Sequence, residues 1–293
     1  MVKIGNIELP EFPLLLAPME DVSDPPFRKL CKMHGADLMY SEFISSEGLI
    51  RDAIKSRKKL DINFGCPVKK VVCKGAGAGV LKDIDLMVRL TKAVVSSTHL
   101  PVTVKTRLGW DNDSINIDEV AERLQDVGIK ALTIHARTRA QMYKGEADWE
   151  NISRIKNNPN IEIPIFGNGD VDSPEKALEY KNKYNCDGIM IGRGAIGYPW
   201  IFNEIKHFFQ TGEILPEPTI AERLEAVKNH ALWSVEWKGE RSGIVEMRQH
   251  YSNYFRGIPH FKEFKTKFLQ ALTLSEIDDI IEETKHFYQE NLI

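Results

Sequence analysis

Residues 61–70 read Asp-Ile-Asn-Phe-Gly-Cys-Pro-Val-Lys-Lys. The run from Leu60 to Phe64 has the character of a buried strand, and Gly65, Cys66 and Pro67 make the chain turn at its end. A thiol therefore stands at the C-terminal tip of a strand. The amide of Asn63 lies one strand repeat behind it, and Lys69 and Lys70 lie just beyond. An isolated cysteine is more often a packing residue, since free Cys is among the most buried residue types. The amide and the lysines turn the reading toward a reaction site.

The same arrangement recurs along the chain. Strand-like runs fall at Leu14–Met19, Leu38–Phe43, Leu60–Phe64, Pro101–Arg107, Ala131–Arg137, Pro164–Asn168 and Asp187–Gly192. Helical segments lie between them, at Pro26–His34, Asp85–Ser97, Asp118–Val127, Trp149–Asn157 and Ser173–Tyr184, with Trp200–Phe209 closing the series. Ser173-Pro174-Glu175 has a capping serine followed by proline at the first helical position. Apolar strands alternating with helices predict a parallel sheet covered on both faces. Polar residues gather at the strand ends: Met19-Glu20-Asp21, Glu42, Asn63 and Cys66, Lys105 and Arg107, His135 and Arg137, Asn168 and Asp170, Gly192 and Arg193. A doubly wound sheet concentrates its site at one switch point, whereas a (β/α)8 TIM barrel uses the C-terminal end of every strand. The barrel is the expectation, with Val2–Leu9 as a hairpin closing its other end. Only seven strand units are found where eight are needed. The gap lies between Phe43 and Leu60, where the intervening residues suffice for one crossover but not for a further strand and helix.

The pattern changes after Phe209. A linker at Thr211–Pro218 precedes a capping-box sequence, Thr219-Ile220-Ala221-Glu222, and the remainder is helical. The expected division is 1–212 for the barrel and 213–293 for a smaller all-α helical domain. Its aromatics fall mostly at core spacing. From Lys238 to Lys267 there are seven Lys/Arg against three Glu. Such a segment fits either a solvated helix face or a surface that tracks phosphates.

Bulk composition excludes several classes. The chain has 293 residues, 42% hydrophobic and 28% charged, with a formal net charge of −3. No apolar run spans a bilayer, and the N-terminus lacks the form of a secretory signal. The four cysteines, Cys31, Cys66, Cys73 and Cys186, show no metal-like spacing, so no metal and a reduced cytoplasmic setting are expected. A monomer is expected.

Gly192-Arg193-Gly194-Ala195-Ile196-Gly197 matches a dinucleotide fingerprint, but it follows the last strand and no later strand supplies a ribose-binding acid. Paired with Gly167-Asn168-Gly169-Asp170 it reads better as a barrel phosphate site, with Arg193 as a bidentate donor. A monophosphate cofactor over a barrel mouth suggests flavin mononucleotide. Lys105 is placed to stabilise a reduced flavin anion, with a salt bridge to an acid such as Glu42 as the alternative. His135 is equally suited to the cofactor or to a hydrogen-bonded core.

Ala17-Pro18-Met19, Asp61 to Pro67, Val104-Lys105-Thr106-Arg107-Leu108-Gly109-Trp110, His135-Ala136-Arg137-Thr138, Asn168-Gly169-Asp170 and Gly192-Arg193-Gly194 occur in this order. Together they resemble the tRNA-dihydrouridine synthase family, in its bacterial B-type branch. The resemblance implies an FMN-dependent (β/α)8 barrel with a C-terminal helical domain. It implies reduction of the C5–C6 double bond of uridines in tRNA, with NADPH as the hydride source. By family position Cys66 is the catalytic acid that protonates C5. Such an acid must begin as the thiol, unlike a nucleophilic cysteine. The resemblance places Pro18, Met19, Glu20, Asn63, Lys105, His135, Asn168, Gly169, Asp170, Gly192 and Arg193 at the cofactor. It carries Arg137 and Arg139 toward RNA or the cofactor phosphate, and Arg107, Lys69 and Lys70 are further candidates for RNA. The target base must leave its stack to reach a flavin, and folded tRNA is read largely through shape and phosphates.

The sequence departs from the family in one place. The family carries another strand and helix between the units matching Phe43 and Leu60, and that strand supplies a glutamine to the flavin's pyrimidine edge. Neither is present. Loss of an interior barrel strand should cost far more than the roughly 5–15 kcal/mol by which domains are stable. A break in the sequence is therefore expected, in preference to a naturally shortened barrel. Two other readings compete: an FMN barrel reducing a free pyrimidine or enone, and a non-catalytic RNA-binding remnant.

Overall fold

The computed structural model describes residues 1–42 and 59–291. Val2–Ile4 (β1) and Ile7–Leu9 (β2) pair antiparallel as the expected hairpin. The seven strand signals become β3 (Leu14–Leu16), β4 (Leu38–Met39), β5 (Leu60–Asn63), β6 (Val102–Arg107), β7 (Ala131–His135), β8 (Ile165–Asn168) and β9 (Gly188–Ile191). They form one parallel sheet in the order β4-β3-β9-β8-β7-β6-β5, so β4 and β5, neighbours in sequence, stand at its two ends. Phe43, the end of one expected strand, lies outside the described residues, as does the rest of the connection up to residue 58.

Alternation along the strands separates two apolar clusters. Val104, Leu132, Ile134, Ile165, Ile189 and Ile191 point to one face and join the large core under the helices. Leu15, Ala17, Tyr40, Ala131, Phe166 and Met190 point to the other face, where they meet Val2, Ile4 and Leu9 of the hairpin. A strand places successive side chains on opposite faces, so two buried faces require apolar residues at nearly every position. The sheet is curled, with the hairpin covering one end of its inner face and the strand C-termini at the other.

Helices α1 (Pro25–Met33), α2 (Lys69–Val72), α3 (Ile84–Ser96), α4 (Ile117–Asp126), α5 (Glu150–Lys156), α6 (Pro174–Tyr184) and α7 (Ile201–Thr211) return the chain between and after the strands. Their starts follow capping chemistry: Asp24 accepts from Phe27 N–H at 2.9 Å, Asp83 from Leu86 N–H at 2.8 Å, and Ser173 from Lys176 N–H at 3.2 Å. After the linker come α8 (Ile220–Lys238), α9 (Glu240–Tyr254), α10 (Lys262–Gln270) and α11 (Leu274–Asn291). Thr219 and Glu222 form the expected capping box. These four helices share a third apolar cluster that includes Leu224, Val227, Ile244, Tyr251 and Phe268 and reaches Leu30 of α1. No described helix is long and apolar enough to cross a membrane.

Candidate active site

Strand register sets the site. Asn63 on β5 lies opposite Lys105 on β6, Arg107 opposite His135 on β7, and His135 opposite Asn168 on β8. Residues two apart on a strand share a face. Asp61 and Asn63, Thr103, Lys105 and Arg107, and Thr133 and His135 therefore line the inner face in ascending order. The upper residues are nearly enclosed: Lys105 is 7% exposed, His135 7%, Asn168 8% and Cys66 9%.

Beyond β5 the chain is held at successive atoms. Gly65 N–H donates to Asn63 Oδ1 at 2.8 Å, an Asx turn that carries the chain round to Cys66. Ala78 N–H donates to the Cys66 carbonyl at 3.0 Å. The thiol residue thus stands on a fixed turn beside the Asn63–Lys105 pair. Lys69 and Lys70 follow on α2 and are exposed.

Burial pulls the Lys105 amine down to about 7, with the Arg107 cation adding to the effect, while Asp61 and Cys66 oppose it. Asp61 lies lower on the same face and accepts from Thr103 Oγ1 at 2.5 Å. Burial also drives His135 well below its ordinary range, reinforced by Lys105, Arg107, Arg137 and Arg193, so its imidazole is neutral near pH 7. Glu42, the alternative partner for Lys105, has Lys238, Asp24 and Asp21 as its charged neighbours instead.

At the β8 and β9 ends two turns face each other. Gly167 is approached so closely by the Trp149 ring that a Cβ there would stand 2.0 Å from Cζ3. The same indole donates to Gly169 O at 3.0 Å. Gly169 and Asp170 both take positive φ, 134° and 56°, which bends the strand end into a turn. Asn168 Nδ2 donates to Met190 O at 2.8 Å, tying β8 to β9. Gly192 follows β9, and the Arg193 side chain is 55% exposed. On the β3 side Pro18 is buried, Met19 half-buried and Glu20 exposed.

Two arginines assigned toward RNA lie inside the protein. Arg137 is 2% exposed and donates to both carboxylate oxygens of Asp170, at 2.8 and 2.7 Å, and to the carbonyls of Lys144 and Gly145. Arg107 is 1% exposed and, among the described residues, donates only to backbone carbonyls. Arg139 is half-buried, its guanidinium 4.6 Å from the Trp110 ring centroid. The sequence reading passed over Tyr143. It sits 50% exposed, with the Arg193 guanidinium 4.9 Å and the Arg107 guanidinium 5.6 Å from its ring, and His135 6.3 Å away ring to ring. The available signal was an aromatic in a loop that follows a strand's C-terminal end. Among the described residues no cluster of three His, Cys, Asp or Glu is placed to hold a metal.

A parallel α/β sheet with a thiol, an amine, a neutral imidazole and amides gathered at its strand ends defines an enzyme of the parallel α/β class. The chain belongs to the dihydrouridine synthase family, whose profile matches residues 15–60 and 51–290, and within it to the bacterial B-type branch of oxidoreductases. A probable tRNA-dihydrouridine synthase of Rickettsia conorii is 37% identical over 302 positions, covering 90% of each chain. The tRNA-dihydrouridine synthase B of Pseudomonas aeruginosa is 38% identical over 304 positions, covering 92% of this chain and 91% of its own. That of Vibrio cholerae is 36% identical over 317 positions, covering 96% and 98%. Ninety per cent of 293 residues is about 264, so about 38 of the 302 positions in the first alignment are filled by the relative alone. The same reckoning gives about 34 for the second and about 36 for the third. The family match is itself broken at 51–60. A nitroalkane oxidase of Streptomyces ansochromogenes aligns at a TM-score of 0.36 with 12% identity, over 64% of this chain and 67% of that one, a likeness too slight to bear on the fold.

Proposed function

We propose that this enzyme reduces the C5–C6 double bond of a uridine in tRNA, with FMN as resident cofactor and NADPH as the source of hydride. The observation that carries the reading is the placement of Cys66, Asn63 and Lys105 together at the ends of adjacent strands. The residues fit the cofactor. Lys105 and Arg193 supply positive charge, Asn63 and Asn168 supply amides, His135 is neutral, and the turns at Gly169 and Gly192 carry no Cβ. Pro18, Met19, Glu20 and Asp170 complete the set expected to surround it.

Bound there, reduced FMN would supply hydride to C6 of the uracil. Lys105 holds positive charge beside the ring edge where negative charge accumulates. Cys66 Sγ–H gives its proton to C5 from the fixed turn. Asn63, whose Oδ1 is occupied by Gly65, has its NH2 group left to orient the base. Lys69, Lys70 and Arg139 are the RNA-facing cations we retain, along with exposed Arg241, Arg256 and Lys262 of the helical segment. Arg107 and Arg137 leave that set because their donors are turned inward. We assign 1–212 to catalysis and 213–293 to tRNA. We further infer that the complete catalytic part is an eight-stranded barrel whose remaining β/α unit belongs between β4 and β5.

The test is mass-spectrometric mapping of dihydrouridine in tRNA from a strain lacking this gene, with and without the gene restored. Loss of the modified base at defined positions, recovered by the wild-type gene but not by Cys66→Ala, is the expected result. An unchanged dihydrouridine profile in the deleted strain would overturn the reading. Turnover of free uracil with tRNA ignored would favour a reductase of small substrates.

A further inference from the structure

Arg107 ends β6 with its side chain fully inside the protein, yet among the described residues it faces no carboxylate at hydrogen-bonding distance. Its Nε donates to Gly65 O at 2.8 Å, and its Nη1 donates to Thr138 O at 3.0 Å and Met142 O at 2.8 Å. Gly65 immediately precedes Cys66, and Met142 immediately precedes Tyr143. One guanidinium therefore joins the thiol turn to the loop that carries the exposed aromatic.

The Gly65 backbone is gripped on both sides, its N–H by Asn63 Oδ1 and its carbonyl by Arg107 Nε, each at 2.8 Å. A charge buried to this degree is costly unless its donors find acceptors, and three carbonyls take three of its five N–H donors without neutralising it. The planar fork matters. Nε and Nη1 diverge within one rigid group and hold two loops at a set separation, which a single ammonium cannot reproduce.

We propose that Arg107 is a positioning residue: it sets where the Cys66 thiol stands by clamping the Gly65 carbonyl to the 138–143 loop. It acts on the reaction through Gly65 and Tyr143, not by touching RNA. The inference rests on the reading of Cys66 as the proton donor, but its structural half can be measured without tRNA.

The experiment uses the flavin-loaded protein in a Cys73→Ser background, which removes the exposed cysteine and leaves Cys31 and Cys186 buried. Iodoacetamide labelling of Cys66 is followed by peptide mass spectrometry in the parent, Arg107→Ala and Arg107→Lys. Both variants should label about tenfold faster or more, the scale of losing a charge-assisted buried hydrogen bond. In parallel, dihydrouridine formation at saturating tRNA should fall while the tRNA concentration for half-maximal rate holds steady. If Arg107→Ala does not fold, Arg107→Lys, which keeps the charge and most of the volume, decides. Unchanged labelling in the folded variants overturns the clamp. So does a loss confined to tRNA affinity and sensitive to salt, which marks a phosphate contact. If the parent makes no dihydrouridine, the proposed function fails, and the labelling rates still decide the clamp.

Discussion

A lysine drawn down to about 7 is the residue through which pH should act on this site. The cause is burial first and the Arg107 cation second, so the folded protein holds the neutral amine more readily than the unfolded chain does. Between about 7 and the ordinary 10.5 the unfolded chain binds more protons, and stability rises with pH across that window. Below 7 both states carry the charge and the folded protein bears the whole cost of burying it. Lys105→Met should therefore stabilise the cofactor-free protein, by the widest margin at pH 6 and a shrinking one toward pH 10. Urea denaturation of both proteins across that range checks it, and a margin independent of pH would count against a buried, titrating Lys105. At this scale the strand-end positions of Asn63, Lys105, His135 and Asn168, with Cys66 on the turn beyond, were legible because periodicity shows where a strand ends. The sequence reading misplaced Arg107 and Arg137 for a physical reason. A strand-end arginine reads as a phosphate ligand, and whether its donors turn inward depends on carbonyls of distant loops. Tyr143 escaped because no periodicity marks a loop residue.

Elements were legible where local chemistry decides them. Each of the seven apolar runs became a strand, and the capping residues Ser173, Asp83 and Thr219 act as their types suggest. The strand expected over Leu14–Met19 stops at Leu16, since Ala17 N–H makes the last pairing, to Ile191 O, and Pro18 has no N–H to continue it. Helix α2, four residues long, is too short to show a period. What sequence could not show is the joint between layers. Asp24 caps α1 through Oδ1, while its Oδ2 lies 3.3 Å from Lys238 Nζ at the end of α8. This one carboxylate starts a helix beside the sheet and reaches the C-terminal helices. Asp24→Asn keeps a capping oxygen and gives up the charge, whereas Asp24→Ala loses both. The alanine variant should be less stable than the asparagine variant by about 1 kcal/mol, the usual worth of an N-cap. Equal denaturation midpoints for the two would show that the cap contributes nothing here.

For the whole molecule the deciding feature is where the sheet stops. Strands β6, β7, β8 and β9 are buried at every residue, while all residues of β4 and β5 are only half-buried. Those two strands are the ends of the sheet among the described residues, and each lacks a neighbour there on one side. Parallel strands belong in the middle of layered folds, because an open parallel edge leaves ladder groups and apolar surface in water. A β/α unit in a barrel of about 250 residues takes roughly 30, which the additional 34 to 38 positions of the relatives can supply. The break in the family match falls in the same connection. Inserting the corresponding stretch of the Pseudomonas aeruginosa relative ahead of Leu60 should therefore raise the melting temperature and the fraction of protein that retains flavin through purification. Hydrogen exchange of the β5 amides should slow at the same time, because the new strand would cover that edge. The Asn63–Lys105 pair and the Cys66 turn lie on β5, so closure should also raise dihydrouridine formation per flavin, beyond the gain in flavin content. If the chain without the insert matches it in all three measurements, seven strands suffice and the added unit is dispensable.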